Sequence, residues 1–211
     1  MKKLLVLLLI ILPLVGCGSA KNVKKENFDK IRDVFYNSVT DYGYESSITM
    51  KQNGIVVGEE KTTVHSFNGY LKESVMKKTL AEFQSEEMFE ITNTDRYYNK
   101  TTNEVGVIEG NDLVWATGSI DSNISRNYNL SYSDFKLLTV SKTNFNGTLK
   151  DENGFFNTNI AAENVSISVE IDGKKLLNYH ISFQLNDYIV DIDVVILYSE
   201  NEFLEPSELM N

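Results

Sequence analysis

The sequence predicts an α+β fold in which an antiparallel sheet packs on an N-terminal helix and a short second helix. Apolar side chains recur every three or four residues near residue 30, and they then alternate with polar side chains along most of the remaining chain. The first spacing is typical of an amphipathic helix, and the second is typical of strands with one buried face.

The amphipathic helix is predicted over residues 26–42. Its apolar face consists of Phe28, Ile31, Phe35 and Val39. Gly43 follows that face and is expected to end the helix, because glycine readily adopts the left-handed conformation found after helix C-termini.

A meander of strands is predicted from Tyr44 onward. In the first strand, Tyr44, Ile48 and Met50 share one face, and Gln52-Asn53-Gly54 provides a turn. Further strands are expected over Glu60–Phe67, Tyr70–Phe83, Met88–Thr94, Arg96–Asn99, Glu104–Ile108 and Leu113–Trp115. The segment Tyr70–Phe83 is also compatible with a helix, because its apolar residues do not alternate strictly.

A break in the meander is predicted in the middle of the chain. Residues 117–130 are polar and are interpreted as a long loop. Within Ser131–Ser141, the spacing of three between Tyr132, Phe135 and Leu138 predicts a short helix capped by Ser133.

The last third of the sequence carries the clearest strand pattern. Apolar and polar residues alternate in Val165–Asp172, Leu177–Asn186 and Tyr188–Tyr198. Asp172-Gly173 and Asn186-Asp187 separate the three segments and are typical of hairpin turns. Three consecutive antiparallel strands with one apolar face are therefore expected.

The N-terminus has the pattern of an export signal. Lys2 and Lys3 precede an apolar run from Leu4 to Val15. The run is too short to span a bilayer, which requires about 20 residues, but it fits the hydrophobic region of a secretory signal peptide.

The signal ends in Leu14-Val15-Gly16-Cys17, which resembles the lipobox of bacterial lipoproteins. This resemblance implies cleavage after Gly16 and a diacylglycerol on the sulfur of Cys17. An ordinary signal peptide with a chance cysteine is the alternative, but the only cysteine of the chain falls at the required position. The predicted organisation is a signal peptide at 1–16, a lipidated tether at 17–25 and a single domain at 26–211. The expected location is the extracytoplasmic side of a bacterial cell membrane.

The order of elements is similar to that of the LolA/LppX-like lipoprotein-carrier superfamily. The similarity rests on the helix Phe28–Val39, the strand Tyr44–Lys51 and the three C-terminal strands. It implies a strongly curved antiparallel sheet, an open half-barrel wrapped around helices. It also implies a lipid or another apolar ligand bound between helix and sheet.

The alternation pattern selects candidate ligand-binding residues. A sheet of many strands is wider than one helix, so either the second helix completes the cover or a cavity remains. If a cavity exists, the residues expected to line it are Ile48, Met50, Val64, Ile167, Val169, Ile181 and Phe183.

Composition argues against several other functions. The net charge of −10 argues against nucleic acid as a partner, because phosphate binding requires clustered basic residues. No cofactor, metal site or catalytic residue is predicted. The two histidines, His65 and His180, lie on polar strand faces. Asp191 and Asp193 could supply calcium ligands but are better explained as solvated charges. Convergence of these two aspartates with His180 in one cleft would favour an enzyme.

The expected function is therefore that of a non-enzymatic, membrane-anchored lipoprotein that binds a lipid or other apolar ligand in a curved sheet. The alternative is an envelope module with a filled core that interacts with another envelope protein, as a sensor or scaffold.

Overall fold

The structure of the protein, a computed structural model, describes residues 23–38, 41–80, 89–109, 112–118, 128–150, 154–156 and 161–206. A helix, α1, covers residues 23–37. The strands are β1 (Gly43–Gln52), β2 (Ile55–Phe67), β3 (Tyr70–Leu80), β4 (Phe89–Asn99), β5 (Glu104–Glu109), β6 (Asp112–Thr117), β7 (Phe135–Val140), β8 (Asn144–Leu149), β9 (Glu163–Asp172), β10 (Lys175–Leu185) and β11 (Tyr188–Ile196).

These strands form one curved, open sheet in the order β6-β5-β4-β3-β2-β1-β11-β10-β9-β8-β7. Every neighbouring pair is antiparallel. All pairs but one join strands that follow each other in the chain. The exception is β1 with β11, which pair from Tyr44↔Ile196 to Gln52↔Tyr188 and so connect the two halves of the sheet. The predicted α+β fold with a curved antiparallel sheet is confirmed.

The two faces of the sheet differ as the alternation predicts. We call the face that packs against α1 the inner face and the opposite face the outer face. In β9 the inner residues Val165, Ile167, Val169 and Ile171 are at most 2% exposed. Their neighbours along β9, such as Ser166 and Ser168, lie on the outer face, and burial alternates along the strand.

The helix crosses the strands instead of running along them. The ring of Phe28 lies 5.0 Å from that of Phe145 in β8, and the ring of Phe35 lies 5.2 Å from that of Tyr179 in β10. Seven helical residues rise about 10.5 Å, and two strand spacings measure about 9.6 Å. Since these lengths match, α1 spans neighbouring strands with its apolar face. Phe28, Ile31 and Phe35 are fully buried.

The limits of α1 differ from the predicted 26–42. The helix already includes residue 23, so the segment before it is shorter than the predicted tether at 17–25. Val39 lies outside the described residues. Gly43 is the first residue of β1, with φ of 112°, and a Cβ there would lie 1.8 Å from the carbonyl oxygen of Val64. Glycine is needed at this position because β1 approaches β2 too closely for a side chain.

The second predicted helix is a single 3-10 turn at Tyr132–Asp134, and the rest of that segment is strand β7. The register of β7 against β8 shifts between Phe135 and Leu137. This bulge places Phe135 and Leu138 on the same face although they are three residues apart. The spacing that predicted a helix is therefore produced by a strand with an extra residue.

The bulge also explains the glycine opposite it. A Cβ on Gly147 would lie 2.4 Å from Cδ1 of Phe135 and 2.7 Å from the carbonyl oxygen of Leu137. The first atom belongs to a buried ring and the second to the backbone, so neither moves easily. The ring of Phe135 thus packs directly on the backbone of β8, beneath Phe28.

We predict that Gly147→Ala lowers the free energy of unfolding by about 1–3 kcal/mol, because the added methyl group overpacks the site. Urea denaturation monitored by circular dichroism provides the measurement. Gly58→Ala is the matched control, since Gly58 also lies within a strand and a Cβ there would have its nearest neighbour at 3.8 Å. Equal stability of the two variants would contradict the proposed packing of Phe135.

Candidate functional site

The seven predicted ligand residues all lie on the inner face. Cross-strand pairing joins Ile48 to Ile192, Ile192 to Ile181 and Ile181 to Ile167 in one row. Five of the seven are at most 6% exposed, namely Val64, Ile167, Val169, Ile181 and Phe183. These five belong to the continuous core that includes the buried face of α1.

The other two predicted residues, Ile48 and Met50, are half-buried and lie at the margin of this core. Ile192 and Leu185, on the neighbouring strands β11 and β10, are half-buried in the same way. We call Ile48, Met50, Leu185 and Ile192 the apolar strip. Ile48 and Met50 are thus the two predicted residues that retain accessible surface, and Leu185 and Ile192 extend this surface onto residues that were not predicted.

The inner face becomes polar beyond the apolar strip. Glu60 of β2 lies across from Ile48, and its carboxylate is 2.9 Å from Nζ of Lys77 in β3. The next inner positions in β4 are the exposed Thr92 and Thr94. A ligand that contacts the strip would therefore meet hydroxyl and charged groups on one side and the core on the other.

A buried ion pair lies further along the same face. The Glu73 side chain is 8% exposed, and Nε and Nη2 of Arg96 donate to its Oε2 atom, with Arg96 47% exposed. Glu73 and Arg96 face each other across β3 and β4. Sequence reasoning missed this pair, because 23 residues separate the partners and only the strand register brings them together.

The width of the sheet limits what α1 can cover. The eleven described strands, at about 4.8 Å spacing, extend about 48 Å. A helix is about 10–12 Å in diameter, and the 15 residues 23–37 are about 22 Å long. Since α1 packs across the C-terminal half of the sheet, it is too short to reach the inner face of β4–β6 as well. Val64 of β2 and Leu71 of β3 still belong to the buried core, whereas Thr92 and Thr94 of β4 are exposed.

Two surface cavities lie away from the predicted residues. One cleft of about 280 Å³ is lined by Asn129, Ser133, Asp134, Leu149, Lys150, Gly154 and Phe155. A shallow groove of about 710 Å³ runs between the solvent side of α1 and the β9–β10 turn at Gly173 and Lys174. None of the seven predicted ligand residues lines either of these two cavities. A cavity formed by the predicted residues therefore stays a prediction.

The acidic residues that were weighed as catalytic or calcium-binding lie on the outer face. Nδ1 of His180 is 2.7 Å from Oδ1 of Asp193, and Nζ of Lys51 is 2.9 Å from Oδ2 of Asp191. Burial acts to raise the pKa of Asp191, but hydrogen bonds from Ser182 and Lys51 outweigh it and hold the pKa below its usual value. The side chains of His180 and Asp193 are 40% and 62% exposed, so this cluster sits on an open surface.

Among the residues that the structure describes, no three His, Cys, Asp or Glu side chains are placed to hold a metal ion. Over the same residues, no helix has the length and apolar character needed to cross a bilayer. The other histidine, His65, contacts Asn201 of the C-terminal tail through its Nδ1 atom at 3.1 Å.

We predict that Arg96→Gln lowers the free energy of unfolding by about 1–3 kcal/mol, because it leaves the buried Glu73 carboxylate without its charged partner. The double variant Glu73→Gln/Arg96→Gln should recover part of this loss, since no buried charge then remains. Denaturant unfolding of both single variants and the double variant gives the coupling energy. Additive effects in this cycle would show that the two side chains do not interact.

The chain matches no protein-family model and no curated protein. One solved structure to which it is similar is that of a DUF1329 family protein from Desulfovibrio piger, with 11% sequence identity and a TM-score of 0.26. The alignment covers 88% of this chain and 98% of that one. At this TM-score the likeness carries no argument, so the fold assignment rests on the strand order and pairing described above.

Proposed function

We propose that the protein is a non-enzymatic lipoprotein, anchored through acylated Cys17 to the extracytoplasmic side of a bacterial membrane. In this proposal the apolar strip binds a lipid or another apolar ligand. The observation that carries the ligand hypothesis is the half-buried apolar strip beside a sheet face that α1 is too small to cover.

The anchor is supported by the position of the cysteine. Cys17 is the only cysteine and directly follows the export signal, where the lipobox requires it. Two acyl chains hold a protein stably at a membrane, whereas one chain binds only marginally. Since α1 already includes residue 23, only residues 18–22 separate the proposed lipid from the described domain.

The ligand hypothesis is supported by the chemistry of the strip. Its four side chains are apolar, adjoin a filled core and still reach solvent. Burying such surface against an apolar ligand gains about 25 cal/mol per Å². The neighbouring Glu60–Lys77 pair and the threonines of β4 would face the polar part of a ligand.

We predict that Cys17→Ser releases the protein from the membrane fraction, because the thioether site for diacylglycerol is lost. Mass spectrometry of the wild-type N-terminal peptide should show cleavage after Gly16 and a diacylglycerol on Cys17. An unmodified thiol on Cys17 in the wild type would contradict the anchor. So would retention in a carbonate-washed membrane fraction of a Cys17→Ser protein that lacks residues 1–16.

We predict that native mass spectrometry after gentle extraction detects a co-purifying lipid or other apolar molecule, and that Ile48→Ser/Met50→Ser removes most of it. The matched control is Ile189→Ser/Val195→Ser, which changes two apolar residues of β11 on the outer face that are 49% and 48% exposed. The control should retain the ligand. Equal ligand content in both variants, or none in the wild type, would contradict the proposal.

The second candidate is a module that interacts with another envelope protein. The observation that favours it is the filled core, which includes the buried face of α1 and five of the seven predicted ligand residues. A wild-type protein that carries no ligand, but whose cross-linked partner is lost when the apolar strip is changed to serine, would support this candidate.

A further inference from the structure

Positive charge is concentrated in α1, which follows the proposed tether, and in the strands β7 and β8. Residues 23–38 and 129–150, which contain α1, β7 and β8, carry seven basic and four acidic side chains, a net charge of +3. The whole chain has a net charge of −10. A basic region in an otherwise acidic chain indicates a surface that binds an anionic partner.

Contacts join these elements into one surface. The Phe28 ring of α1 lies 5.6 Å from that of Phe135 in β7. Nζ of Lys24, near the start of α1, donates a hydrogen bond to the carbonyl oxygen of Leu138 in β7. The start of α1 therefore lies directly against the edge strand β7.

The register of β7 explains why Lys24 finds this acceptor. The amide of Ser141 donates to the carbonyl of Asn144 at 2.8 Å, which makes this a hydrogen-bonded pair of the antiparallel ladder. Hydrogen-bonded and non-bonded pairs alternate, so the backbone groups of Leu138 point toward the edge of β7 that pairs with no other described strand. The ammonium group of Lys24 donates a hydrogen bond to one of these groups, the carbonyl oxygen of Leu138, and therefore lies at the edge of the sheet.

The surface around this edge combines basic and apolar side chains, all of them exposed except the half-buried Lys24. We call it the tether-side surface, and it consists of Val23, Lys24, Lys25, Lys136, Leu137 and Lys142. Lys136 and Lys142 are exposed. Leu137 is 68% exposed, the highest value among the large hydrophobic side chains of the described residues, and Val23 is 53% exposed.

We propose that the tether-side surface lies on the anionic phospholipids of the membrane that holds Cys17. The position of this surface at the membrane rests on the proposed anchor. Val23 is six residues from Cys17, so it lies at most about 21 Å from the acylated cysteine. Lysines near an anionic lipid surface each strengthen binding about fivefold. Leu137 and Val23 add apolar contact at the headgroup boundary.

This arrangement sets the orientation of the domain. The β7 edge then lies at the membrane, and β6 is the opposite edge of the described sheet. The bilayer would also cover the backbone edge of β7 that pairs with no other described strand.

The test uses the chain from residue 17 with Cys17→Ser, which keeps every described element and carries no lipid. Its sedimentation with phosphatidylcholine vesicles is compared with vesicles that also contain phosphatidylglycerol. We expect binding to the anionic vesicles only, and weaker binding as the NaCl concentration rises. Binding to neither vesicle, or equal binding to both, would overturn the proposal.

Two variants locate the surface. Lys136→Gln/Lys142→Gln should weaken binding to anionic vesicles about 25-fold, from two lysines at about fivefold each. The control Lys61→Gln/Lys78→Gln makes the same change in net charge on the outer face of β2 and β3, where the side chain of Lys61 is 54% exposed. It should weaken binding less than about threefold, because these lysines lie away from the tether-side surface.

Equal losses in both variants would overturn the proposal. Because this chain cannot be acylated, its result is independent of whether Cys17 carries the anchor.

Discussion

The packing of α1 across the strands of the inner face is the constraint on which the rest of the structure depends. Phe28, Ile31 and Phe35 have no exposed surface, and the rings of Phe28 and Phe35 contact different strands of the C-terminal half. An apolar sheet face of this size is unstable in water unless another element covers it. The segment Tyr128–Leu130 adds to this cover, since the hydroxyl of Tyr36 accepts a hydrogen bond from the amide of Leu130 at 2.6 Å.

A helix placed across one half of a wide sheet divides the inner face into two regions. Under α1 the side chains form a closed core, in which burial raises the pKa of the Tyr128 hydroxyl. Beyond the core, the inner face passes through Ile48 and Met50 to charged and hydroxyl side chains. The boundary between these regions combines accessible apolar surface with nearby polar groups, which are the features of a site for an apolar or amphipathic ligand.

Alternation predicted the sheet well where strands are regular and one-sided. Val165–Asp172 and Leu177–Asn186 correspond to β9 and β10 within a few residues, and all seven candidate ligand residues lie on the predicted common face. Pattern reasoning was wrong about Phe135–Val140, because a bulge produces helical spacing in a strand. It missed β8, whose Asn146-Gly147 pair is typical of a turn. Gly147 is required there by the Phe135 ring, a contact between residues on different strands.

The sequence by itself determined the amphipathic helix and the inner and outer faces of most strands, because local spacing specifies these features. The export signal that ends at Cys17 stays a prediction from the sequence. Only the tertiary structure decided which half of the inner face α1 covers, and that five of the seven candidate residues are buried in the core, four of them in that half. It also decided the pairing of Glu73 with Arg96 and of β1 with β11. These depend on how far a helix of fixed diameter extends over a sheet and on the register of distant strands, and neither quantity is encoded in a local pattern.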